Sequence, residues 1–316
     1  MNPHLRALLA TSRIANVPSV MCSVWLMMLI FGNYPENERA DKYYVICLAA
    51  AFLYIAGNFL NDWMDFVWDK EHRPERAIPS GLFSRITYLL IAIALFLSAY
   101  FLLWLEGSME IAVAAMITIL VVIYTLIHKK TPLAIWVMGS CRACLYLLGY
   151  IAVSYNRWDI YSIVDEIDRN MIIFLLWPML GMCCYIAGIS LLARYESRKE
   201  LEGKTKLIAV LLLFFPIFTH TCGAMLSIIA KDLPFTSLLG VIPFALWTWH
   251  AVARKNISVS TRVSLLLAGI ALVDGILYVV NLESLKGYEP HDLFLPGMPF
   301  IAFFLALLLQ KIAPAT

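Results

Sequence analysis

Long uninterrupted runs of apolar residues alternate along the chain with short stretches where charge collects, and about ten of the runs approach membrane-crossing length. A membrane helix needs roughly 20 mostly apolar residues, because the hydrocarbon core is about 30 Å thick and each helical residue rises about 1.5 Å. The runs fall near 14–32, 43–61, 86–105, 109–127, 133–154, 171–193, 207–230, 235–253, 263–281 and 294–310, the last interrupted by Pro296 and Pro299. Apolar residues are continuous within each run rather than alternating, which predicts helices rather than a transmembrane barrel. The expected fold class is therefore all-α, a polytopic membrane helix bundle of nine to ten transmembrane helices forming a single domain over 1–316. Arg6 and Arg13 precede the first run as in a signal peptide, but the run is too long and lacks a small-x-small cleavage site, so a retained helix is expected.

Composition agrees: 61% of the 316 residues are hydrophobic, 15% are charged and the mean hydropathy is +0.78. An ordinary soluble domain is about 45–50% apolar and about 25% charged, so soluble and disordered classes are excluded. A net charge of +2 carries no nucleic-acid footprint, which leaves membrane lipids and small molecules as partners and indicates no particular protein partner. With ten spans, seventeen of the 24 Lys and Arg fall in loops on one side, which places those loops and both termini in the cytoplasm. All seven cysteines lie in apolar runs; Cys141-x-x-Cys144 has no second pair, so buried thiols rather than a zinc site are expected.

The second run ends in Gly57-Asn58-Phe59-Leu60-Asn61-Asp62-Trp63-Met64-Asp65-Phe66-Val67-Trp68-Asp69. At about 100° per residue Asn58, Asp62, Asp65 and Asp69 share a stripe about 60° wide, with Asn61 beside it. Three carboxylates on one stripe repel unless a cation or donor neutralises them, which makes the stripe a natural Mg²⁺ site; a solvated helix end is the plainer alternative. Arg73 and Arg76 follow directly, and their guanidinium forks suit phosphate oxygens, although basic residues also serve simply to orient a loop. Together these features suit a molecule with a diphosphate head and an apolar tail.

A second charged cluster, Arg194 to Thr205, follows the sixth run; Glu196 and Glu200 lie about 40° apart on a helix and either face the first stripe or form a salt-bridged surface. Charged loops after runs two and six suggest two four-helix halves, 14–127 and 133–253, followed by C-terminal helices. Between the clusters, Lys129 suits a diphosphate at the cytoplasmic mouth and Tyr124, one helical face back, suits the reacting centre. Arg142 inside an apolar run needs a carboxylate, a phosphate or water; either Asp274 pairs with it or substrate does.

Asn61-x-x-x-Asp65-x-x-x-Asp69 followed by Arg73-Pro74-Glu75-Arg76-Ala77-Ile78-Pro79-Ser80-Gly81 resembles the first Asp-rich motif of the UbiA superfamily of intramembrane prenyltransferases, and the run after it. Tyr124 and Lys129 resemble the family's YxxxK element, with His at 128 and Lys one residue later. Arg13 resembles a basic residue that some members turn toward diphosphate. The second acidic motif is represented by Glu196-Ser197-Arg198-Lys199-Glu200, a departure from the family's DxxxD. Gly-Ser-Cys-Arg and Leu-Leu-Ala-Arg-Tyr-Glu look similar to a divergent bacterial branch, the EboC-like proteins, which implies a bacterial inner membrane.

The resemblance implies a UbiA-like fold and Mg²⁺ held by Asn61, Asp65 and Asp69, with Glu196 and Glu200 as second-site ligands. It implies an allylic prenyl diphosphate donor bound by Arg13, Arg73, Arg76 and Lys129, with Asn58, Asp62, Arg142 and Arg194 also toward substrate and Tyr124 at the reacting centre. The acceptor would be aromatic or another small lipophilic molecule. The weakened second motif motivates an alternative of another class, a non-catalytic binder of a prenyl diphosphate or small molecule in an export or transport assembly.

Overall fold

The computed structural model describes residues 2–32, 40–154, 169–196, 203–226, 238–254, 257–281 and 297–313, and among them every regular element is helical. The chain runs through α1 (Pro3–Thr11), a 3-10 turn (Ile14–Asn16), α2 (Val17–Phe31), α3 (Ala40–His72), α4 (Arg85–Glu106), α5 (Ser108–Ile127) and α6 (Ala134–Ser154). It continues through α7 (Arg169–Glu196), α8 (Gly203–Leu226), α9 (Leu238–Ala253), α10 (Val259–Ala268), α11 (Ile270–Val280) and α12 (Met298–Gln310). Among the described residues eight stretches are apolar and long enough to cross a membrane, and two apolar helices, α9 and α12, are shorter. The helical membrane bundle expected from the apolar runs is the fold.

Three elements differ in detail from the pattern of runs. The residues ahead of the first run are themselves a helix, α1, started by the Asn2 side chain accepting from the His4 N–H at 2.9 Å with Pro3 in the first turn. It stops at Arg13, whose φ of 48° is left-handed and therefore breaks the helix before α2 begins. The second run is the middle of a 33-residue helix, α3. At about 1.5 Å per residue α3 is about 50 Å long, so its last turns carry the acidic stripe past the apolar run to the membrane's edge. The ninth run is two helices, α10 and α11, meeting at Gly269.

Two large apolar cores and a smaller one around Phe59 and Tyr88 fill the bundle, and α2 and α6 contribute to both large ones. Leu26, Met27, Tyr146 and Tyr150 join the core built on α7 to α12, whereas Val24, Met28, Leu145 and Leu148 join the one built on α3 to α5. Close approach of this central pair depends on Gly149. A Cβ there would stand 2.9 Å from the Met27 Cβ and closer still to the Val24 carbonyl oxygen, which is backbone and cannot turn away. Gly149→Val is expected to destabilise the fold by about 1–3 kcal/mol through overpacking. A lowered thermal midpoint in detergent would register this, with Gly203→Ala as the control, since nothing lies within 4 Å of a Cβ at Gly203.

Candidate active site

The last turns of α3 present their carboxylates to basic groups from elsewhere in the chain. Arg76, in the loop after α3, donates from one terminal nitrogen to Asp62 Oδ1 at 2.9 Å and to Asp69 Oδ2 at 3.3 Å. Asp62 also accepts from the Thr11 hydroxyl at 3.3 Å, and Thr11 meets the Tyr88 hydroxyl at 2.9 Å, so α1 and α4 are tied to the stripe. Asp65 sits against the end of α5: Lys129 Nζ lies 2.5 Å from its Oδ1 and His128 Nε2 3.4 Å from its Oδ2. Within α3, Asn61 donates to Asp65 Oδ2 at 3.1 Å and Asn58 donates to the Ser12 carbonyl at 3.2 Å. Asp69 is 3% exposed and Asp65 9%, which is why each needs its partner.

Aromatic rings hold these cations in place. The Lys129 ammonium lies 4.4 Å from the centre of the Trp68 ring, Arg73 lies 5.9 Å from it, and His72 stacks on Trp68 at 4.2 Å. The Tyr124 ring stacks on His128 at 5.0 Å. Arg194 reaches from α7 to the turn after α5, donating to the Thr131 carbonyl at 2.8 Å and the His128 carbonyl at 3.4 Å.

Beside these groups a cavity of about 450 Å³ opens, with residues of α3, α5, α6 and α7 in its lining. Arg13, Arg73, Arg76, Arg142, Arg194 and His128 belong to its wall, with Asn58, Asn61 and Tyr124, while its depth is apolar, as at Leu53, Ile117 and Ile186. Asp62, Asp65 and Asp69 are not wall residues; they stand behind their cations. The surface offered to a ligand therefore combines basic and apolar side chains.

Arg142 reaches Asp274 only through a serine. It makes no ion pair within 4 Å of Asp274; instead its Nη2 donates to Ser23 Oγ at 3.4 Å. Ser23 in turn meets Asp274 Oδ2 at 2.9 Å, and Tyr146 donates to Oδ1 at 2.6 Å. Arg142 is 7% exposed, its Nε has no hydrogen-bond partner, and the residue lines the cavity. A buried donor without an acceptor is costly, so this guanidinium is poised for an anionic ligand group.

Of the residues expected at the site, Asn58, Asn61, Asp62, Asp65, Asp69, Arg76, Tyr124 and Lys129 come together around the α3 end, with Arg13, Arg73, Arg142 and Arg194 on the adjoining wall. Glu200 and the side chain of Glu196 lie outside the described residues. Sequence reasoning assigned no role to Thr11, Trp68, Ser23 or His128. The signal for His128 was its position four residues after Tyr124, one turn along the same face. Six described cysteines are free thiols, of which Cys22, Cys47, Cys144 and Cys184 are buried as expected and Cys141 and Cys183 are half-buried.

Among the described residues no three His, Cys, Asp or Glu side chains converge as a metal-holding group; Arg76 pairs with Asp69 and Lys129 with Asp65. A single hard-oxygen position nevertheless fits a divalent cation: Asp65 Oδ2 next to Asn61, whose buried Oδ1 has no hydrogen-bond partner.

A polytopic helical bundle with a cavity lined by arginines beside an acid-rich helix end is a membrane protein with a site inside its bundle. The match of residues 19–267 to the UbiA prenyltransferase family, most of the chain, goes further: the protein belongs to that family and is an integral membrane protein. It is 32% identical over 124 residues to digeranylgeranylglyceryl phosphate synthase of Thermococcus kodakarensis, covering 39% of this chain and 43% of the relative. To the synthase of that name from Methanoregula boonei it is 36% identical over 136 residues, 42% of this chain and 47% of the relative. The chain thus spans about half the length of the curated relatives it matches. A solved structure described as digeranylgeranylglyceryl phosphate synthase in membranes shares the fold, with a TM-score of 0.53, 16% identity and 99% of each chain covered.

Proposed function

We propose that the protein is an intramembrane prenyltransferase that moves an isoprenyl group from an allylic prenyl diphosphate to a small lipophilic or aromatic acceptor. The observation that carries this reading is the cavity lined by both arginines and apolar side chains beside the acidic end of α3. In the reaction the bond between C1 of the donor and its oxygen breaks, diphosphate leaves with the electron pair, and the acceptor bonds to the allylic carbon and releases a proton. Arg73, Arg76 and Lys129 stabilise the negative charge that grows on the leaving diphosphate. The apolar depth takes the isoprenyl tail and excludes water that would quench the cation. Tyr124, whose ring lines the cavity beside His128, faces the reacting carbon with π density.

A divalent cation, Mg²⁺ by the family resemblance, would be held by Asn61, Asp65 and Asp69. When bound it neutralises diphosphate charge as a Lewis acid. The relatives' names carry a glyceryl phosphate, and an acceptor with an anionic group would supply the partner that Arg142 Nε lacks. The basic loops, Arg73 and Arg76 among them, face the cytoplasm by the excess of Lys and Arg on that side. The non-catalytic binder rests on the weakened second acidic motif alone, and Glu200 and the side chain of Glu196 lie outside the described residues.

The test is diphosphate release from geranyl, farnesyl and geranylgeranyl diphosphates by protein in nanodiscs, with and without Mg²⁺ and a panel of phenolic and glyceryl phosphate acceptors. Metal-dependent release that forms a prenylated product supports the enzyme; binding without release under every acceptor supports the binder and overturns the proposal. Trp68 gives a subtler check. Trp68→Ala removes the ring under Lys129 and is expected to weaken prenyl diphosphate binding about threefold, the scale of one cation–π contact, whereas Trp68→Phe keeps most of the affinity.

A further inference from the structure

Arg76 belongs to the loop after α3, so no helix sets the direction of its side chain, yet the proposed donor site needs its guanidinium at one place on the cavity wall. The carboxylates it contacts supply that place, Asp62 Oδ1 at 2.9 Å and Asp69 Oδ2 at 3.3 Å from the same nitrogen. Asp62 is in turn held from outside α3. Its other oxygen, Oδ2, lies 3.3 Å from the Thr11 hydroxyl. A carboxylate only accepts, so Thr11 donates, and a hydroxyl has a single hydrogen to give.

The 2.9 Å contact between the Thr11 and Tyr88 hydroxyls then runs from Tyr88 to Thr11. Tyr88 is fully buried, so this donor cannot turn to water. Its ring is packed 4.9 Å from that of Phe59 and 5.8 Å from that of Phe83, which fixes where the chain of donors begins. The bonds form one directed series, Tyr88 to Thr11 to Asp62, and Arg76 donates to the far oxygen of the same carboxylate. Thr11 and Tyr88 are not wall residues of the cavity, so whatever they do for a ligand they do through Arg76.

We infer that Thr11 is a positioning residue for the donor diphosphate, acting through Asp62 to aim the Arg76 fork, with Tyr88 directing its hydrogen. The inference rests on the proposed donor site and adds to it α1 and α4, two helices with no residue in the cavity wall. Arg13, the wall residue nearest Thr11 in the chain, is held separately. Asn58 donates to the Ser12 carbonyl at 3.2 Å, a tie to the backbone that a change of the Thr11 side chain leaves in place.

The test is calorimetric titration of inorganic diphosphate, with Mg²⁺, into the full-length protein in nanodiscs. Thr11→Val keeps the shape of the side chain and removes the hydroxyl; it is expected to weaken diphosphate binding about fivefold, and Thr11→Ser to stay within about twofold of wild type. Tyr88→Phe leaves the Thr11 hydrogen free to turn elsewhere and should cost about twofold. In a double-mutant cycle on Arg76→Gln, which still donates to Asp62 and so spares the fold, Thr11→Val should cost less than about 1.5-fold, because its route to the ligand is already cut. A merely structural Thr11 would lower the thermal midpoint and leave the affinity of the folded protein unchanged. That result, an equal loss in the Arg76→Gln background, or no recovery in Thr11→Ser overturns the positioning role alone. No diphosphate binding by the wild type overturns the donor site and, with it, this role.

Discussion

Asp65→Asn is expected to lower single-turnover diphosphate release from an allylic prenyl diphosphate by about 100- to 1000-fold, the loss typical when one preorganised electrostatic group is removed from a reacting centre. The substitution keeps the shape of the side chain and deletes its charge. Asp65 is the point where α3 meets the end of α5: Lys129 holds one oxygen at 2.5 Å, and His128 and Asn61 lie 3.4 and 3.1 Å from the other. Without the carboxylate, Lys129 loses its anchor and a divalent cation loses the charged ligand at the one position that fits it. The effect should be far larger on release than on stability, since the amide still hydrogen-bonds within the same pocket. Stopped-flow detection of diphosphate, paired with isothermal titration of the donor, separates the two. Release within about fivefold of wild type would remove Asp65 from the chemistry.

Arg76→Ala is the second large effect, and here stability and donor binding fall together. One guanidinium nitrogen serves both Asp62 and Asp69, so its removal leaves two carboxylates close together without their counter-ion, Asp69 only 3% exposed. Breaking a buried pair costs about 3–5 kcal/mol; because the Arg76 side chain is 23% exposed, about 2–3 kcal/mol is expected. The double variant Arg76→Ala with Asp69→Asn should recover most of the thermal midpoint by removing the stranded charge, yet leave prenyl diphosphate affinity reduced at least tenfold. If the double variant regained affinity as well, Arg76 would be a structural counter-ion and no more. Arg76→Lys keeps the charge but loses the planar fork, and should fall between wild type and Ala in affinity.

The membrane bundle was legible in the apolar runs because the hydrocarbon thickness demands a minimum length of apolar helix whatever the neighbours are. The shared face of Asn58, Asp62, Asp65 and Asp69 was legible for a similar reason, since helical periodicity is local. The family motifs were readable because they combine both. By contrast, α1 was invisible beside the stronger signal of the first run; it is held by the tie from Thr11 to Asp62 and Tyr88, residues far away in the chain.

The sequence by itself thus determined the class of protein, the apolar helices found among the described residues, and the stripe of acids on one face of α3. Only the tertiary structure decided which cation each acid meets, that the arginines rather than the acids line the cavity, that Ser23 stands between Arg142 and Asp274, and that His128 turns Nε2 toward Asp65. Each of those outcomes depends on how distant segments cross: α3 on the end of α5, and α2 with α6 on α11. Spacing along one helix states which residues share a face, but the charge or hydrogen bond that satisfies a buried group comes from whichever helix packs there, and that is a property of the assembled bundle.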